Sequence, residues 1–278
     1  MHTRAVEETK RPVTGGAFWL PLGTLWWREL IHFFRQRSRL VGTLAPPLVF
    51  WLFIGSGLGS SFRPLSASGG SHYLEYFFPG TVVMVVLFSS AFSMMSVIED
   101  RHAGFLLSVL VAPILRSSLV LGKVLGGTTQ ALLAGLLFLL LGPLAGFTFG
   151  AVQGLGLVAV LFLIAFCLTG LGFLIAWRMD SAQGFHSVLN LVLIPMWVLS
   201  GALFPSSGAS SWIQWIMKLN PLTYGVAALR RLLYAGNAAV PGDVAPLGLS
   251  LQITLAFALV TMVAALLWSG RPSLKDLG

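Results

Sequence analysis

Glu99, Asp100, Arg101 and His102 form the longest unbroken run of titratable side chains in a sequence that is otherwise poor in them. An apolar run follows at 105–112, then Pro113 and two more cations, Arg116 and Lys123. The run is too short to cross a bilayer, which takes roughly 20 apolar residues, and its charged flanks argue against burial in hydrocarbon. The chemistry on offer is recognition. Phe105, Leu106, Val109 and Leu110 could fill an apolar groove while Glu99, Asp100 and Arg101 fix register.

Catalytic chemistry finds little support. A P-loop needs G-x-x-x-x-G-K-[ST]; the nearest approach, SSLVLGKV at 117–124, has serine for the first glycine and Val124 where a magnesium-binding hydroxyl is required. His2, His32, His72, His102 and His186 are scattered without metal-ligand spacing, and G-x-S-x-G is absent. No catalytic residue, metal ligand or bound cofactor is expected in this chain.

The elements that position 99–123 follow from composition. Of 278 residues 56% are hydrophobic and 9% charged, where soluble domains carry about 25% charge. The class is an all-α integral membrane protein. The net charge of +8 suits cationic loops that orient spans rather than nucleic acid. Cys167 is the single cysteine, so no intrachain disulfide forms. No cleaved leader is expected, because the first apolar segment is followed by Arg35, Arg37 and Arg39.

Residues 1–20 read as a polar cytoplasmic tail and 21–278 as one membrane domain. Over 22–39 the pattern is that of an amphipathic helix. Arg28, His32, Arg35 and Arg39 make a polar stripe, and Trp26, Leu30, Phe33 and Phe34 gather on the other side. Such a helix lies in the membrane interface with its cations on lipid phosphates. Six spans follow, at about 41–60, 79–98, 119–142, 154–177, 184–204 and 247–268. Pro46-Pro47 should bend the first, Gly55 and Gly59 form a small-xxx-small pair in it, and Pro79 should open the second from its first turn. Between the fifth and sixth, 205–246 carries Trp212, Trp215 and Tyr224, which seek interfaces, and Asn220-Pro221, which interrupts any helix. Two short helices resting on the outer membrane surface are expected.

Counting cations gives orientation. With the N-terminus inside, the cytoplasmic side holds Arg4, Lys10, Arg11, Arg28, Arg35, Arg37, Arg39, Arg101, Arg116, Lys123, Arg178, Arg271 and Lys275; the outside holds Arg63, Lys218, Arg230 and Arg231. Both termini are therefore expected in the cytoplasm of a cell-membrane protein. The spans carry no charge between their ends, which disfavours ion-coupled transport and intramembrane hydrolysis. Gln130, Asn190 and Thr169 either bond across helices or touch substrate.

This layout resembles the permease subunits of type-2 ABC transporters. Three motifs carry the resemblance: the helix at 22–39, the insert IEDRHAGFLLSVLVAPILRSSLVLGK, and LSGALFPSSGASSWIQWIMKLNPLTYGVAALRRLLYAG at 199–236. Glu99, Asp100, Arg101, Gly104, Leu106, Leu110, Ala112, Pro113, Arg116, Leu121, Gly122 and Lys123 match the insert pattern. Ala103 and Leu107 depart from it. Gly201, Phe204-Pro205, Asn220-Pro221, Tyr224 and Arg230 match the last motif. The resemblance implies a membrane-spanning exporter subunit paired with a second permease copy or paralogue and with two ATP-binding subunits that hold ATP-Mg. It makes 99–113 a coupling helix, 22–39 a collar, and the helices around Trp212, Trp215, Asn220, Pro221, Tyr224 and Arg230 an outer gate. A hydrophobic or amphipathic substrate (drug, lipid or lipid-linked glycan) is expected. A secondary transporter and a non-transporting membrane anchor remain as alternatives.

Overall fold

The computed structural model describes residues 16–35, 37–57, 73–112, 114–235, 240–242 and 244–269. Most of the tail at 1–20, the loop at 58–72, Pro113 and the tail from 270 lie outside them, and so does Gly59. Every regular element among the described residues is helical: α1 (Gly16–Arg35), α2 (Arg37–Gly57), α3 (Tyr73–His102), α4 (Phe105–Val111), α5 (Arg116–Leu139), α6 (Ala151–Arg178), α7 (Ala182–Trp197), α8 (Ser211–Leu219), α9 (Pro221–Leu233) and α10 (Leu247–Ser269). Five stretches among them are long and apolar enough to cross a membrane: α3, α5, α6, α10, and α7 with the turn after it; the apolar part of α2, Val41–Gly57, is shorter.

α3 is the core helix and touches α2, α5, α6, α7 and α9. It begins at Tyr73, so Pro79 lies inside it rather than in its first turn. The ring forfeits the bond to the Glu75 carbonyl, and side chains reach across to hold this turn instead. Tyr73 Oη donates to the Leu203 carbonyl at 3.1 Å, Tyr76 Oη to Gly201 at 3.2 Å, and Trp197 Nε1 to Gly80 at 2.8 Å. α2 runs unbroken through Pro46-Pro47, and its Gly55 packs on Leu74 of the same chain.

Lipid tails are as apolar as leucine, so helices in a membrane associate through close packing and polar links rather than hydrophobic burial. The α1–α5 contact follows that rule. A Cβ added to Gly126 would lie 2.6 Å from the Glu29 Cβ, and one on Gly122 would lie 2.9 Å from the Leu25 Cβ. Two glycines one turn apart on α5 thus form the bed in which α1 rests.

α7 ends at Trp197, and the next turn, Val198–Ala202, is wound as a π-helix with a break inside: Leu199 at φ −88°, ψ 18° and Gly201 at φ 78°. The left-handed φ at Gly201 suits glycine. Beyond the break the two short helices differ. α8 exposes Trp212, Trp215 and Leu219, whereas α9 buries Leu222, Gly225, Val226, Leu229 and Arg230 against α6 and α10. The expectation of two surface helices therefore fails for α9. Its Gly225 admits Ile164 of α6 at close range, and its arginine is satisfied inside the protein.

Gly126→Val should force α1 off its bed at a cost of about 1–3 kcal/mol, lowering the thermal midpoint of the purified chain by several degrees. Gly23→Ala meets nothing within 4 Å and should hold or slightly raise the midpoint, since alanine favours the helix.

Candidate functional site

The end of the bundle that carries 99–123 is organised by a buried charge cluster. Lys123, two turns into the apolar helix α5, is 1% exposed; Glu29 on α1 is 2% and Asp100 near the end of α3 is 5%. Lys123 Nζ donates to Glu29 Oε1 at 2.5 Å, to Ser96 Oγ at 3.1 Å and to Asp100 Oδ2. Ser96 Oγ donates to Glu29 Oε2 at 2.9 Å. Arg28 grips both oxygens of Asp100, at 2.8 and 2.6 Å. The hydrogen bond to Asp100 is the largest influence on Arg28, and with the nearby carboxylates it raises the guanidinium pKa above its ordinary value against partial desolvation. Two acids and two bases sum to zero. This neutrality, with each carboxylate oxygen facing a donor, lets the two acids and Lys123 stay dry.

α1 is tied down further by Gln130 Nε2, which donates to the Glu29 carbonyl at 2.9 Å, and by Trp26 Nε1, which donates to Thr129 Oγ1 at 3.1 Å. The polar stripe expected on α1 is thus divided. Arg28 is an internal partner, while His32 and Arg35 remain exposed. Leu25, Glu29, Leu30 and Phe33 are the buried set, and Phe34 faces out. Arg39 is helical, with its side chain outside the description.

The insert itself is a turn and a short helix. Gly104, at φ 71°, reverses the chain after α3 and precedes α4. Two expected partner contacts are turned inward. Asp100 sits in the cluster, and Leu106 packs on Leu25 and Leu119 with Phe105 and Val109 beside it. The Phe105 ring also lies 4.0 Å under the Arg28 guanidinium. A helix of only two turns needs such an anchored face, because seven residues are too few to be stable alone. Among the described side chains of α4, Ser108 and Val111 face outward, the latter 86% exposed, with Glu99 and His102 exposed just before it. The Leu110 side chain lies outside the description.

Cations from the same segment close two other helices. Arg101 donates to the Trp177 carbonyl at 2.8 Å and to Met179 at 2.9 Å, and His102 Nε2 meets the Asp180 carbonyl at 2.7 Å, which requires the Nε2–H tautomer. Arg116 donates to the Ser269 carbonyl at 3.0 Å. Unpaired carbonyls at helix C-termini attract cations, so 99–116 holds the ends of α6 and α10 as well as α1 and α5.

At the other end of α3, Arg230 is 3% exposed. Its Nη2 donates to the Gly201 carbonyl at 3.0 Å and its guanidinium lies 4.2 Å over the Tyr76 ring. Asn220 caps α9 by accepting from the Leu222 N–H at 3.1 Å and donates to the Met196 carbonyl at 2.5 Å. Thr223 Oγ1 reaches the Leu199 carbonyl at 3.4 Å. The carbonyls released by the break after α7 are thus taken up by side chains of α3 and α9. Pro221 is in the first turn of α9, and Tyr224 Oη donates to the Lys218 carbonyl at 2.9 Å, joining α9 to α8. Trp212 and Trp215 are exposed on α8.

One cleft of about 180 Å³ opens between α3 and α7, lined by apolar side chains with His186 and Asn190. His186 stands edge-on to Phe92 at 5.5 Å. Sequence reasoning missed Glu29, Ser96 and the bed of Gly122 and Gly126, and it treated Lys123 as a loop-side cation. The available signals were an acid one turn from Leu25 and Phe33 on an apolar face, and Gly-Lys-x-x-Gly in an apolar helix.

Residues 21–234 match the family described as ABC-2 type transporter. The chain is 26% identical over 217 residues, 75% of its length and 73% of the relative's, to the daunorubicin resistance ABC transporter permease protein DrrB1 of Streptomyces coeruleorubidus. It is 26% identical over 224 residues, 77% and 82% of the two chains, to the inner membrane transport permease YadH of Escherichia coli. Nodulation protein J of Rhizobium meliloti is 27% identical over 209 residues, 70% and 74% of the two chains.

The charge cluster responds unequally to single and paired removal. Lys123→Met strands Glu29 and should cost about 3–5 kcal/mol, read as a fall in thermal midpoint. Lys123→Met with Glu29→Leu removes both ends of the pair and should recover much of that loss.

Proposed function

The chain belongs to the ABC-2 type transporter family, and from that premise we propose how this permease subunit of an ABC transporter works. It is a multi-pass membrane protein, related to transport permeases rather than enzymes, and the family in general works with ATP-binding partner subunits. In our reading two permeases, identical or paralogous, assemble with two such subunits, which hold ATP-Mg. Six spans cross the cell membrane with both termini and 99–123 in the cytoplasm. α1 lies in the cytoplasmic interface, and α8 and α9 stand at the outer exit.

The observation that carries this reading is the attachment of the insert. Side chains from 99–123 and their immediate partners bind α1, α3, α5, α6 and α10 at one end of the bundle. A push on α4 would therefore reach five helices through short, mostly ionic or charge-assisted links, which are stronger than neutral hydrogen bonds. The ATPase would take hold on the outward side, at Glu99, His102, Ser108 and Val111, while Phe105, Leu106 and Val109 transmit the load to α1 and α5. At the far end, the break after α7 and the Arg230 clamp form the joint through which α8 and α9 move.

Substrate contact is placed at the α3–α7 cleft. Its walls are apolar with two polar groups, His186 and Asn190, which suits a hydrophobic or amphipathic molecule such as a drug, a lipid or a lipid-linked glycan. The name of the relative DrrB1 refers to daunorubicin resistance, in keeping with that class.

Val111→Asp puts a charge on the outward face of α4 without touching the cluster. Co-purification of the ATP-binding subunit should fall at least about tenfold, and ATP-driven transport with it. The thermal midpoint of the permease should stay put. Undiminished co-purification would move the docking surface away from α4.

A further inference from the structure

α1 offers two unlike faces. Leu25, Glu29, Leu30 and Phe33 are buried in the protein, whereas Trp27, Ile31 and Phe34 point away from it at 58%, 40% and 60% exposure. Along the margin of the outward face runs an open groove of about 430 Å³, lined by Thr24, Trp27, Arg28, Ile31, His32 and Arg35. It contains no acid. Glu29, the one acid of α1, is turned the other way and held by Lys123. His32 and Arg35 are exposed and form no ion pair with the described residues. Arg28 gives both terminal nitrogens to Asp100, yet 31% of its side chain remains exposed. The groove therefore has a basic rim and an apolar wall, and among the described residues no acid pairs with the His32 and Arg35 part of that rim.

We propose that this groove binds one anionic phospholipid, the phosphate against Arg35, His32 and the open edge of Arg28, and an acyl chain along Trp27 and Ile31. A free inorganic anion would satisfy the rim but leave the wall in water. A neutral apolar molecule would cover the wall but not the rim. A lipid of negative charge does both, at the depth where basic residues and tryptophan meet the headgroup layer. The site rests on the reading of α1 as an interfacial helix. Arg28 both lines it and bonds Asp100, so the bound headgroup and the buried cluster share one guanidinium.

The full-length chain, purified and exchanged into mixed micelles of phosphatidylglycerol and phosphatidylcholine, tests this by native mass spectrometry of retained lipid. One phosphatidylglycerol should be kept with at least about fivefold preference over phosphatidylcholine, the discrimination expected of a single cation near a lipid surface. His32→Gln with Arg35→Gln should bring the two lipids to parity while the thermal midpoint stays unchanged, since both side chains are exposed. Undiminished preference in that double variant overturns the site, and displacement of the lipid by millimolar inorganic phosphate overturns the lipid in favour of a soluble anion. None of these readouts involves the ATP-binding subunit, so failure here is separable from failure of the coupling reading, which Val111→Asp tests.

Discussion

Charge buried in an apolar helix bundle must find a counter-charge or aligned hydrogen-bond partners within reach of its own side chain, and that constraint shapes this protein. Lys123 cannot face lipid, so Glu29 and Asp100 must come to it, and α1 and α3 must lie where those acids can. Arg28 then follows Asp100, and Ser96 fills the remaining gap. The glycines beside Lys123 on α5 make the approach possible, because a Cβ there would collide with α1. Removing one partner from such a group costs far more than the group contributes as a whole. The cluster therefore specifies an arrangement more than it adds stability, and the arrangement it specifies is the seating of α1 beside the insert.

The two ends of α3 solve different problems with similar chemistry. At the insert end, arginines cap the carbonyls where α6 and α10 stop, and ion pairs join α1 to α5. At the opposite end the carbonyls come from a break inside the run that continues α7, and Arg230, Asn220, Thr223 and Tyr76 take them up. A backbone break at membrane depth is tolerated when protein groups satisfy it. α3 spans both ends as a single 30-residue helix, so one continuous helix links the insert to the backbone break after α7.

Much of this was readable from residue order. Length and hydropathy marked the apolar helices, Asn220-Pro221 marked the start of α9, and the run 99–113 stood out because charge and greasiness alternated where neither a span nor a plain loop would place them. The direction each side chain takes was not readable. Leu106 and Asp100 look like partner-facing residues in a short charged insert, yet both turn inward: Leu106 because α4 is too short to stand without a packed face, and Asp100, at the end of α3, because Lys123 and Arg28 hold it. Pro79 looks like a helix start, yet long-range bonds from Tyr73, Tyr76 and Trp197 hold a turn before it and after it. Arg230 looks like a surface cation until the carbonyls of a distant break are seen beneath it.

The sequence by itself determined the class, the family motifs and the interruption at Asn220-Pro221, since those depend on the local balance of apolar, charged, glycine and proline residues. Only the tertiary structure decided which charges face one another. Glu29, Ser96, Asp100 and Lys123 lie on three helices, 67 to 94 residues apart across the Ser96 and Lys123 bonds to Glu29. No local periodicity encodes such a meeting. It exists because burial makes an unpaired charge intolerable, and one packing of these helices pairs them all.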